Sequence, residues 1–146
     1  MRARLNKIRG EDGYTLIEVL VVVLVIGILA TIALPSFLNQ TTKATAASAM
    51  ELAHSAQIAA ETYATDHNGS YAGLTVSTLG AYDASIQTSA ANNNAYLMGV
   101  SNATATGYKV TTASSDGSET FSINRTGGVV TRSCAPAGAG CKNGSW

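Results

Sequence analysis

Charge is scarce in this chain. Only 12% of its 146 residues are Asp, Glu, Lys or Arg, against 46% hydrophobic ones. That balance excludes a chain disordered throughout, and the length suits one domain. Four basic residues (Arg2, Arg4, Lys7, Arg9) against Glu11 and Asp12 leave the first thirteen residues at +2, and the neutral total puts the remainder at −2. A mildly acidic body with dispersed lysines and arginines has no electrostatic footprint for phosphates. It argues against nucleic acid as a stable direct partner.

Histidine is scarcer still. His54 falls in a segment of helical spacing, where a polar helix face would hold it at no cost, and His67 falls in a turn sequence. Neither has the convergent polar company of a catalytic base or a metal ligand. There is no Gly-rich phosphate loop, carboxylate pair or nucleophile motif. The expectation is a protein without enzyme activity, without catalytic residues, and with no metal or cofactor.

What is abundant is apolar sequence in one place. Residues 16–34 are apolar except for Glu18, Gly27 and Thr31. Nineteen residues at helical rise span roughly 28 Å, close to a bilayer's hydrocarbon core. The many valines and isoleucines favour strands in water, but lipid offers nothing to an open strand edge and so selects the helix. An ordinary secretory signal has a shorter apolar core and a nearby small-residue cleavage site, and this run fits neither requirement. Basic residues before the run, and none after it until Lys43, predict a single pass with the N-terminus in the cytoplasm.

Glu18 is the feature that a plain signal anchor leaves without a reason. A carboxylate within an apolar helix is costly, though less so toward an end. Either Glu18 reaches back to the head-group layer, or it has a partner. A cut just before Tyr14 would create one, since the new ammonium could pair with Glu18 of a neighbouring chain. Gly13-Tyr14-Thr15-Leu16-Ile17-Glu18-Val19 followed by an apolar helix resembles the class III signal of type IV prepilins and pseudopilins. The resemblance implies cleavage between Gly13 and Tyr14 by prepilin peptidase, methylation of the Tyr14 amine, and an assembly role for Glu18. Tyr14 stands where phenylalanine is commoner in that family. The resemblance also implies unwinding between the glycine and proline positions on assembly, for which Gly27 and Pro35 are candidates.

Pro35 removes one helical hydrogen bond and predicts a kink, not an end. Residues 36–64 contain no glycine or proline, and place Ala49, Leu52, Ala56, Ala59 and Tyr63 at intervals of three and four. That stripe should face a sheet, with Lys43, Glu51, Glu61, Gln40 and Gln57 on other faces. A helix from Tyr14 to Ala64 would be roughly 75 Å long. The sequence around Asp66 to Ser70 should end it, with Gly69 at positive φ. Residues 71–94 read as a loop region with a short helix near 76–79. Strand patterns follow at 96–101, 108–113, 120–124 and 129–133, separated by turn-forming groups. Short connections require an antiparallel meander, one face of which can cover the alanine stripe.

Cys134 and Cys141 fit a disulfide, because the predicted orientation puts them in an oxidising compartment. Closing that loop would contribute roughly 2.5 kcal/mol on a chain-entropy view. The rival is half of a zinc set, with no nearby histidine to complete it. The resemblance adds that many pilins carry a C-terminal disulfide. Asn-x-Ser/Thr triplets such as those at Asn102, Asn124 and Asn143 are the kind that arise by chance in so Ser/Thr-rich a chain.

The fold expectation is therefore α+β: a long N-terminal helix, half transmembrane and half amphipathic, packed on a small four-stranded antiparallel sheet as in the type IV pilin fold. The expected parts are a cleaved leader (1–13), a transmembrane and polymerisation helix (14–35) and an extracytoplasmic head (36–146). The head would comprise an amphipathic helix (36–65), a variable loop (66–94), the sheet (95–133) and a disulfide-closed tail (134–146). The function expected is that of a type IV pilus subunit, serving adhesion, twitching motility or DNA uptake through the filament. The rivals are a pseudopilin of a type II secretion or competence system, and a signal-anchored binding protein that never polymerises. Expected partners are copies of the chain in a helical filament, prepilin peptidase, the assembly machinery of the cytoplasmic membrane, and the bilayer before assembly.

Overall fold

A computed structural model describes residues 13–91 and 93–146. The leader expected over 1–13 therefore lies, Gly13 apart, outside the described residues. Helix α1 runs Leu16–Asp66 with Pro35 inside it. A short helix α2 (Val76–Tyr82) and four strands follow: β1 (Tyr96–Ser101), β2 (Gly107–Ala113), β3 (Thr120–Thr126) and β4 (Val129–Ala135). The chain divides into two units, Met1–Phe37 and Leu38–Trp146.

In the first unit α1 is apolar over a membrane-spanning length and none of that stretch is buried. Leu20, Leu24, Ile28 and Ile32 are all more than half exposed. Proline does not end the helix. It leaves the Thr31 carbonyl without its usual donor.

In the second unit α1 buries the alanine face that its spacing predicts. Ala49, Ala56, Ala59 and Tyr63 are buried as expected, whereas Leu52 is only partly so. Ala46, Ala53 and Ala60 are completely buried and widen the stripe. Small side chains let the sheet come close enough for direct polar contact. The Thr112 hydroxyl on β2 donates to the Ala49 carbonyl at 2.8 Å, a bond between sheet and helix backbone. The helix ends where turn chemistry was expected. Gly69 is at φ 82, and Asn68 is also left-handed at φ 56. The Gly69 N–H closes the last turn on the Ala64 carbonyl at 2.7 Å.

Helix α2 starts at Val76 as expected, behind a capping box of Thr75 and Thr78, and runs three residues further than expected, to Tyr82. It buries Leu79 completely. The sheet is the predicted antiparallel meander in the order β1-β2-β3-β4. Tyr108, Val110, Phe121 and Ile123 all point into the core and are fully buried. Each contributes on the order of 1.5–3 kcal/mol by burial. Met98 sits at an irregularity between Leu97 and Gly99 and is exposed. Strands β3 and β4 run further than expected. Arg125 and Thr126 pair with Val130 and Val129, leaving Gly127 and Gly128 as a two-residue turn. Their φ of 56 and 87 are those of the turn that matches strand twist.

Beyond β4 the chain folds back. Cys134 and Cys141 are disulfide-bonded with Cα atoms 5.5 Å apart, and Cys141 is buried against Ala46, Ala49 and Phe121. Gly140 is what lets the loop approach. A Cβ there would stand 2.5 Å from the Ala46 Cβ, 2.7 Å from the Met50 Cε and 3.0 Å from the Phe121 Cζ. Gly140→Ala is expected to lower stability by about 1–3 kcal/mol through overpacking, measured by thermal or urea unfolding.

Candidate functional site

Gly13 and Tyr14 lie in non-helical backbone at the start of the described chain, and Tyr14 is 87% exposed. Thr15 begins the helix. Its carbonyl accepts the first helical bond, from the Val19 N–H at 3.2 Å. Its hydroxyl accepts from the Glu18 N–H at 3.2 Å. In return the Thr15 N–H and hydroxyl donate to Glu18 Oε2 at 2.9 and 2.8 Å. This reciprocal arrangement is a capping box, with Glu18 three residues after the cap. It satisfies backbone donors at the helix start and places the carboxylate where the helix dipole favours negative charge.

Sequence reasoning looked for Glu18's partner in the head-group layer or in a second chain, and missed the one three residues away. The signal was present: a Thr-x-x-Glu just before an apolar run is a capping-box signature. One carboxylate oxygen remains, since among the described residues Oε1 accepts no hydrogen bond. Gly27 and Pro35 both lie within the unbroken helix. A Cβ at Gly27 would meet nothing within 4 Å, so no packing in the described chain explains a glycine there.

The second constellation is in the unit Leu38–Trp146, and sequence reasoning misplaced it. Glu61, expected on a face other than the one toward the sheet, reaches the sheet. It accepts from the Tyr71 hydroxyl at 2.7 Å, the Tyr108 hydroxyl at 3.1 Å and Arg125 at 3.2 Å. Arg125 also lies over the Tyr71 ring, 5.5 Å from its centroid. One carboxylate thus ties α1 to β2, to β3 and to the loop after the helix. Burial, and then the Glu61 charge, push the Tyr108 phenol well above its ordinary value, and Tyr71 rises for the same reasons.

His54 is also misplaced by the sequence reading. It is partly buried, with its ring edge-on to Trp146 at 5.3 Å. Trp146 in turn packs edge-on to Phe121, lies under Arg132 and donates to the Ser133 carbonyl at 3.1 Å. A lone tryptophan far along a Ser/Gly-rich tail carried no periodicity by which to find this. His67 is a turn residue as expected, stacked on Tyr63 at 3.8 Å. Among the described residues no three His, Cys, Asp or Glu side chains gather to hold a metal.

Two outcomes follow for Glu61. Glu61→Ala strands three donors and is expected to cost about 1–2 kcal/mol in urea unfolding, the lower end reflecting its part exposure. The raised phenols stabilise the fold fully below the ordinary tyrosine value near about 10 and lose that contribution as pH climbs beyond it. Stability measured from pH 8 to 12 should therefore fall on the alkaline side, and Tyr108→Phe should flatten that fall.

Residues 8–34 match the family described as the prokaryotic N-terminal methylation motif. The chain is 33% identical over 92 residues to the fimbrial protein EcpC of Eikenella corrodens, a stretch covering 60% of each chain. It is 36% identical over 73 residues to a fimbrial protein of Neisseria meningitidis serogroup A, covering 47% of this chain and 43% of that relative. The chain thus spans about half the length of the relatives it matches. No solved structure matches it.

Proposed function

We propose that this chain is a member of the type IV pilin family and a structural subunit of a type IV pilus, a reading that its N-terminal methylation motif and fimbrial relatives support. The observation that carries the reading is a coincidence of place. The motif over 8–34 covers the first stretch of α1, which is membrane-long, apolar and unburied. A surface of that kind is stable in lipid before assembly, and among copies of itself afterwards. Both named relatives are fimbrial proteins, which favours a pilus over a secretion pseudopilin.

In this reading residues 1–13 are a cytoplasmic leader, 14–35 the membrane and polymerisation segment, and 36–146 the extracytoplasmic head. Prepilin peptidase cuts between Gly13 and Tyr14, and the new Tyr14 amine is methylated. The pilus machinery of the cytoplasmic membrane then draws subunits into a surface filament that serves adhesion, motility or DNA uptake. Glu18 Oε2 is held by Thr15, and Oε1 is available for the Tyr14 ammonium of an adjacent subunit. Charge pairing in an apolar surrounding is strong because water does not compete. Gly27 and Pro35 weaken the helix between them, Gly27 by propensity and Pro35 by its missing donor.

Mass spectrometry of the mature chain is expected to show a methylated Tyr14 at its N-terminus, and an intact Met1 start would defeat the reading. Glu18→Ala, and Glu18→Gln which keeps the shape without the charge, are both expected to cut surface filaments by at least about tenfold. That corresponds to roughly 1.4 kcal/mol of lost pairing, counted by electron microscopy of sheared surface material. Normal filaments from Glu18→Gln would refute the charge pairing.

A further inference from the structure

We propose that Thr15 determines how well the leader is removed: by capping α1 it stops the helix just short of the Gly13 to Tyr14 bond and keeps that bond in open backbone. The inference rests on the pilin reading, which supplies the bond to be cut. In the hydrolysis itself water's hydroxyl goes to the Gly13 carbonyl carbon, the amide breaks, and the proton completes the Tyr14 amine. A peptide unit within a helix is a poor substrate for that step. Its carbonyl is bonded four residues ahead and side chains wrap its backbone.

The structure keeps this bond out of the ladder. The first helical residue is Leu16 and the first acceptor is the Thr15 carbonyl, so the carbonyls of Gly13 and Tyr14 have no helical donor. Tyr14 is 87% exposed, and a Cβ at Gly13 would meet nothing within 4 Å. Among the described residues nothing packs against the cut site on either side of the bond.

What fixes the start at this place is the pairing of Thr15 with Glu18. The next side chain upstream with good capping chemistry is Asp12. A helix capped at Asp12 would take Gly13 and Tyr14 into its first turn, with Thr15 and not an acid at the third position. The start at Thr15 instead puts a carboxylate at that position, and Glu18 Oε2 takes both the Thr15 N–H and its hydroxyl. The choice of helix start thus becomes a choice between a sealed and an accessible bond, and the Thr15 hydroxyl decides it.

The test uses the full chain in detergent micelles with membranes containing a prepilin peptidase, reading leader removal by mass. Thr15→Val removes the hydroxyl and keeps the branched shape, while Thr15→Ser and Thr15→Asn restore a capping oxygen. Thr15→Val is expected to lower kcat/KM about fivefold, within the range of a lost cap. The Cα chemical shifts of Gly13 and Tyr14 should move toward helical values in the same variant. Thr15→Ser and Thr15→Asn should cleave near the wild-type rate with extended shifts at both residues. Wild-type cleavage of Thr15→Val would overturn the proposal. So would slow cleavage of Thr15→Asn, which would mean the peptidase reads the threonine itself. A wild-type chain left uncut would instead bring down the pilin reading, and this inference with it.

Discussion

A carboxylate at the head of an uncovered apolar helix is the constraint on which the rest depends. The nineteen residues of the apolar run have no partner among the described side chains, so they have to be covered by lipid or by other chains. Either surrounding is dry, and a charge in a dry place needs a partner. Glu18 meets the need in stages. Thr15 holds one of its oxygens and the helix dipole favours its charge. The remaining oxygen, Oε1, accepts no hydrogen bond among the described residues and is the one the proposed pairing would use. Had the carboxylate stood two turns further along, neither cap nor dipole would have been in reach.

The same helix solves an opposite problem in the second unit. There its surface must be covered by its own chain, and alanine makes that cheap. Ala46, Ala49, Ala53, Ala56 and Ala60 present almost no side-chain relief, so the sheet approaches to hydrogen-bonding distance of the helix backbone. Close approach leaves little apolar volume on the helix side. The bulk comes from the sheet, through Tyr108, Phe121, Ile123 and Val110. The Glu61 knot then orients the layers, since one carboxylate takes donors from two strands and a loop at once. Such a group specifies a docking angle that apolar packing alone would leave loose.

The fold-back after β4 follows from the sheet's last edge. An edge strand offers unpaired backbone groups. Here the Gly144 carbonyl accepts the Cys134 N–H at 3.0 Å, and the Trp146 indole N–H donates to the Ser133 carbonyl. The disulfide brings that segment back, and Gly140 makes room for it between Met50 and Phe121. Bond, glycine and tryptophan act together because each alone would leave the segment tethered but not seated.

Composition and local pattern settled the elements. The unbroken apolar run, the three-and-four spacing of alanines and the alternation of Tyr108 with Val110 and of Phe121 with Ile123 are short-range features. Each by itself selects a helix or a strand, and the turn residues between them select a meander. The Thr15 to Glu18 cap belongs with these, since its four residues are contiguous. The partners of Glu61, His54 and Trp146 could not be had in that way. Glu61 lies 47 and 64 residues from Tyr108 and Arg125, and nothing in its own neighbourhood distinguishes it from Glu51 on the same helix. Which of two similar glutamates faces solvent and which ties the layers together was decided only when helix and sheet docked. Local spacing sets where a side chain points on its own element, whereas what stands opposite is a property of the packed layers.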